Sequence, residues 1–130
     1  MKTMRVMLAV LLGISFVFAA TPESTATTTV NWTKAELNYK ACLKSHNNGV
    51  KVSAANYIRK YNLTGALEEL KTLLTAENAE HVKMAGALAL LSVGGNDGRI
   101  AILNALKIEE NEIVATFYKS ILSNQVIAQQ

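Results

Sequence analysis

From Lys34 almost to the end of the chain, apolar side chains recur at the three- and four-residue spacing of a helix, and no stretch alternates as a strand does. The pattern predicts helices over 34–46, 50–61, 65–75, 79–93, 98–107 and 109–125, and therefore an all-α fold. Turn chemistry separates them: Asn47-Asn48-Gly49, Asn62 to Gly65, Glu77-Asn78, and Gly94-Gly95-Asn96-Asp97-Gly98. Glycine and asparagine reach the left-handed conformations that end helices at little cost. Thr33, with Glu36 three residues on, reads as a capping box, and Thr64 as a further cap. Asp97 reads as a turn and N-cap residue, and Glu109, Glu110 and Glu112 as favourable charge at a helix start.

The pattern also repeats. Val50-Lys51-Val52 returns as Val82-Lys83-Met84, a unit of about 32 residues. The even helices align Val50, Val82 and Ile113, then Ala54, Gly86 and Phe117, then Ile58, Leu90 and Ile121. The odd helices align Leu67, Leu70 and Leu73 with Ile100, Leu103 and Leu106. A unit this short cannot bury its own apolar face, so its copies must stack.

The run from Val82 to Gly94 resembles the second helix of a HEAT repeat, of the short kind first described in phycobilin lyases. Val50 to Tyr61 fits the same pattern, and Ile113 to Leu122 fits it more loosely. The resemblance covers about residues 35–125. It implies a short right-handed α-solenoid of about three helical hairpins, with the even helices lining a concave surface. No catalytic motif of the lyases is matched, so none of their chemistry is carried over.

Ahead of the repeats lies a segment of another kind. Lys2 and Arg5 precede an apolar run from Val6 to Ala19, the layout of a signal peptide over residues 1–19. The run is shorter than the roughly 20 residues that span a bilayer, so no membrane span is expected after cleavage. No cysteine adjoins the cut, which argues against a lipidated mature N-terminus. Residues 20–33, threonine-rich and holding the only proline, read as a flexible tether; 34–126 form the repeat domain and 127–130 a disordered tail. The expected location is periplasmic or secreted.

Losing the leader lowers the formal charge from +3 to about +1, with the remaining charges expected to be scattered along the chain. That balance argues against a nucleic-acid partner. Cys42 is the only cysteine, so no intramolecular disulfide forms, and it is expected as a small buried side chain on the first helix.

Candidate chemistry is sparse. His46 and His81 are the only histidines, and Glu77 stands four residues before His81. Glu77 and His81 could share a helix face and give one or two ligands where a stable metal site wants three or four, and a small metal-dependent enzyme built on His46, His81 and Glu77 is the least favoured reading. Asp97 is the only aspartate, so a Ser/His/Asp triad could arise only by accident. No catalytic residue and no cofactor are expected.

One stripe exceeds what the repeat requires. Met84, Leu88 and Leu91 lie on a face of the fourth helix distinct from the core stripe, leaving that helix apolar nearly all round. Such a helix must be covered by the folded-back tether, by the curl of the stack, or by a partner. Asn56, Tyr57, Arg59, Lys60 and Lys83 would form a polar rim around that stripe. The function expected is a protein-binding or scaffolding platform that holds a protein or peptide partner in the cell envelope. The alternative is a homo-oligomer joined through the Met84, Leu88 and Leu91 face.

Overall fold

The computed structural model describes residues 29–77 and 79–127, and over these residues the chain is all-helical. The predicted leader, residues 20–28 of the tether and residues 128–130 of the tail lie outside the described residues. The order is α1 (Trp32–Cys42), α2 (Asn48–Lys60), a 3-10 turn (Thr64–Ala66), α3 (Leu67–Ala76), α4 (Glu80–Val93), α5 (Gly95–Ile108) and α6 (Glu112–Ile127).

The polar residues at the breaks mostly start helices. Asn31, rather than Thr33, caps α1, its Oδ1 accepting the Lys34 N–H at 3.0 Å. Thr33 lies inside the helix, and Glu36 instead accepts the Gly65 N–H across the hairpin at 3.2 Å. Asn47 opens α2, accepting from Gly49 at 2.9 Å and Val50 at 3.2 Å. α1 has already ended at Cys42, four residues earlier than its pattern predicts, with Leu43 buried just past its end. Thr64 begins the 3-10 turn with no side-chain cap there. Asp97 is no cap either: α5 begins at Gly95, and Asp97 sits in its first turn, where the helix dipole favours an acid.

α4 is the central helix. It packs against α2, α3, α5 and α6; α3 also meets α5, and α1 lies on α2. Ile58, Leu70, Val82, Leu90, Ile102, Val114 and Tyr118 are the largest fully buried side chains around it. Two glycines allow the close approaches. A Cβ on Gly86 would lie 3.3 Å from both Leu73 Cβ and Leu74 Cδ1, and one on Gly98 would lie 2.0 Å from the Leu90 carbonyl oxygen. Gly98 thus lets the first turn of α5 rest on the backbone of α4.

The structure shifts the alignment of the copies. Stepping 32 residues from Val82 reaches Val114, which is 0% exposed, whereas Ile113 is 60% exposed. The same step relates Ala54, Gly86 and Tyr118, and Ile58, Leu90 and Leu122, all buried. On the odd helices it relates Leu70 to Ile102 and Leu73 to Ala105, again buried, while Ile100 and Leu103 are exposed. The alignments of Ile113 with Val82, and of Ile100, Leu103 and Leu106 with the α3 leucines, were each one residue out. An apolar stripe roughly 100° wide tolerates such a slip without losing its periodicity.

Polar contacts fix the register. Lys51 pairs with Glu77, and 32 residues on Lys83 pairs with Glu109 at 2.8 Å. Each carboxylate also accepts the backbone N–H two residues later, Ala79 at 3.1 Å and Asn111 at 3.0 Å. Each bridge ties the start of one even helix to the end of the following odd helix. Glu109 therefore acts mainly through Lys83 rather than as free charge at the start of α6.

Candidate functional site

The predicted surface residues divide between two environments. Met84, Leu88 and Leu91 are half-buried and pack against the core. Lys83 is held by Glu109. Asn56, Tyr57, Arg59 and Lys60 are exposed on α2. The Trp32 ring meets Tyr61, with centroids 4.8 Å apart.

Asn56, Tyr57 and Lys60 border a larger face that the sequence pattern did not single out, while Arg59 lies on the other side of α2. Val50 is 38% exposed, while its counterpart Val82 is 0% exposed. Tyr57 is 43% exposed where Ala89 is 0%, and Tyr61 38% where Val93 is 8%. α4 is covered by a preceding even helix, α2, and no described element stands in the corresponding place on α2. The first hairpin therefore presents to solvent the face that the second hairpin buries.

Aromatic rings line this face. Tyr39 stacks on Tyr57 at 5.4 Å, Tyr57 on Tyr61 at 6.0 Å, and Trp32 leans on Tyr61. The Lys60 ammonium lies 5.3 Å from the centre of the Tyr61 ring, within range of a cation–π attraction. A shallow apolar cavity of about 470 Å³ lies between Tyr39, Cys42, Val50, Ala54 and Tyr57. A second, of about 250 Å³, continues it past Ser53 and Tyr57 to Asn56 and Lys60.

Charge is segregated rather than scattered. Between residues 32 and 60 stand six lysines and arginines and one acid, Glu36; between 61 and 127 stand eight acids and five bases. Lys40 pairs with Glu69 and Lys51 with Glu77, both carboxylates coming from the second hairpin. Lys34, Lys44, Arg59 and Lys60 are exposed, with no ion pair among the described residues. A signal for this was present in the sequence: α2 contains no aspartate or glutamate.

The residues considered for metal chemistry are spread apart. Glu77 is held by Lys51 and the Ala79 N–H. His46 shares a cavity of about 300 Å³ with Glu77, Lys51 and Glu69, while His81 is exposed in the first turn of α4. Among the described residues no three His, Cys, Asp or Glu side chains are grouped to hold a metal. In that cavity Glu69 Oε1 lies 3.3 Å from Lys40 Nζ, and Oε2 is buried without a hydrogen bond among the described residues. Cys42 is free and half-buried at the edge of the aromatic groove. Among the described residues no helix is long and apolar enough to cross a membrane.

Compared with protein-family models, curated proteins and solved structures, the chain matches none of them.

Proposed function

We propose that this chain is an exported, short HEAT-like α-solenoid of three hairpins that binds a protein partner on the open face of its first hairpin, with no catalysis of its own. The solenoid reading is supported by α2, α4 and α6 lying side by side, and by the Lys–Glu bridge that recurs at the repeat step. The signal-peptide pattern at residues 1–19 supports export. One observation carries the binding reading: Val50, Tyr57 and Tyr61 are exposed although their counterparts one repeat on are buried. Contiguous exposed apolar surface of this kind marks an interaction site.

Site-specific crosslinking tests this. A photoreactive phenylalanine at Tyr57 should give a discrete partner adduct in cells of the natural source, and the same group at Thr116 on α6 should give none. Adducts from both positions alike, or from neither, would exclude the first-hairpin face.

A further inference from the structure

We propose that the open face of the first hairpin receives an acidic amphipathic helix of about three turns, laid along α2; this rests on the binding reading above. The length follows from α2, since Val50 to Tyr61 spans about 16 Å at 1.5 Å per residue. The helical form follows from the repeat: the equivalent face of α4 seats a helix, α2 itself. The apolar side of the occupant follows from the groove between Val50, Ala54 and Tyr57, which a purely polar chain would leave unfilled. Its acidic side follows from charge, because α2 carries no acid and Lys60, at the groove's far end, has no ion pair among the described residues.

The same charge argues against the other occupants. Two copies joined through this face would bring two basic hairpins together, and like charges across an interface oppose association. Residues 20–28 contain one acid and otherwise alanine, serine, threonine and proline, with nothing large enough to fill an aromatic groove.

Trp32, the sole tryptophan, rests on Tyr61 and so reports on the face. The test titrates full-length mature protein with three synthetic peptides of equal length. One is a helix with leucine on one side and glutamate elsewhere, one replaces the glutamates by lysine, and one is polyglutamate. The acidic amphipathic peptide should shift Trp32 emission saturably. Binding should weaken about fivefold in a Lys60→Glu variant and fall with added salt. Lys60 is exposed, and an unchanged circular dichroism spectrum would establish that the variant folds. Equal binding of the lysine peptide, equal binding of polyglutamate, or unaltered affinity in the variant would each overturn the proposal. A dimer by light scattering that Tyr57→Glu dissociates would overturn it in favour of a second copy. A specific adduct at position 57 without acidic-peptide binding would refute the partner chemistry alone, whereas no adduct there would refute the binding reading itself.

Discussion

Position 79 gives the sharpest test of the repeat register. Asn47 and Asn111 stand 64 residues apart and both cap an even helix, each Oδ1 accepting two backbone N–H groups at 2.9 to 3.2 Å. Midway between them stands Ala79, in the same extended conformation as Asn47 (φ −79°, ψ 120° against φ −91°, ψ 115°) but with no side-chain cap. Its N–H is already held by Glu77, as that of Asn111 is held by Glu109. Ala79→Asn therefore places an acceptor beside the His81 and Val82 N–H groups without altering the backbone. Its amide nitrogen would face Asn48, which stands where Glu80 accepts from Asn111 one repeat on. An asparagine cap in place of alanine stabilises a helix by about 1 kcal/mol. In a domain of this size that raises Tm by about 4–8 °C. Thermal and urea unfolding followed by circular dichroism measure it, with Ala79→Val as the control that cannot cap. An unchanged or lowered Tm in Ala79→Asn would mean that residues 47, 79 and 111 are not equivalent, and the 32-residue step would fail with them.

Three further changes test the packing and the bridges. Gly98→Ala sets a methyl group against the Leu90 carbonyl oxygen and carbon, backbone atoms that cannot rotate away, and should lower stability by about 3 kcal/mol in urea titrations. Gly95→Ala, at φ +52° with open space around it, should lose only about 1 kcal/mol, and equal losses would refute the close-approach argument. Tyr118→Phe removes a buried hydroxyl that has no hydrogen-bond partner among the described residues, so stability should rise by about 1 kcal/mol; a fall would show that the hydroxyl is satisfied in solution. Burial by itself pushes the Glu109 carboxyl up, but the Lys83 hydrogen bond and the Asn111 and Glu110 N–H groups outweigh it and hold the group below 4.5. A carboxyl lowered by folding contributes stability above its unfolded pKa and loses it as the pH falls through its folded value. Lys83→Met should therefore lose about 2 kcal/mol at pH 7, and the gap to the wild type should narrow on acidification below 4.5; a constant gap would refute the linkage.

The apolar periodicity carried the helical class and the location of most elements, because one buried stripe per helix is all that those features require. It could not carry register. Ile113 and Val114 are both β-branched and apolar, and only the cap at Asn111, two residues before one and three before the other, decides which faces the core. The readable signal was polar: Lys51 and Lys83, Glu77 and Glu109, and Asn47 and Asn111 keep the step without error. Capping misled for a related reason. Thr33 with Glu36 satisfies the local pattern, yet Asn31 offers the same acceptor two residues earlier and leaves Glu36 free to bond Gly65 across the hairpin. The Met84, Leu88 and Leu91 stripe was legible, but its covering was not, since that depends on how four other helices close around α4.

The aromatic face shows why a repeat's pattern hides what its ends do. A position reads as core when its copies are core, so the pattern groups Val50 with Val82 in the buried stripe. The last copy exposes mostly polar residues, Thr116, Lys119, Ser120 and Ser123, with Ile113 the large apolar exception. The first copy keeps the interior chemistry at an exposed end and enlarges it, with tyrosine at 57 where the interior copy has alanine. The cross-helix pairs Trp32–Tyr61 and Tyr39–Tyr57 do staple α1 to α2, each contributing about 1 kcal/mol. Smaller buried side chains achieve the same joining of α3 to α4, where Gly86 meets Leu73 and Leu74. Holding the hairpin together therefore does not require Trp32, Tyr57 and Tyr61 in the open, and Tyr57 and Tyr61 lie on and just past the helix that carries no acid.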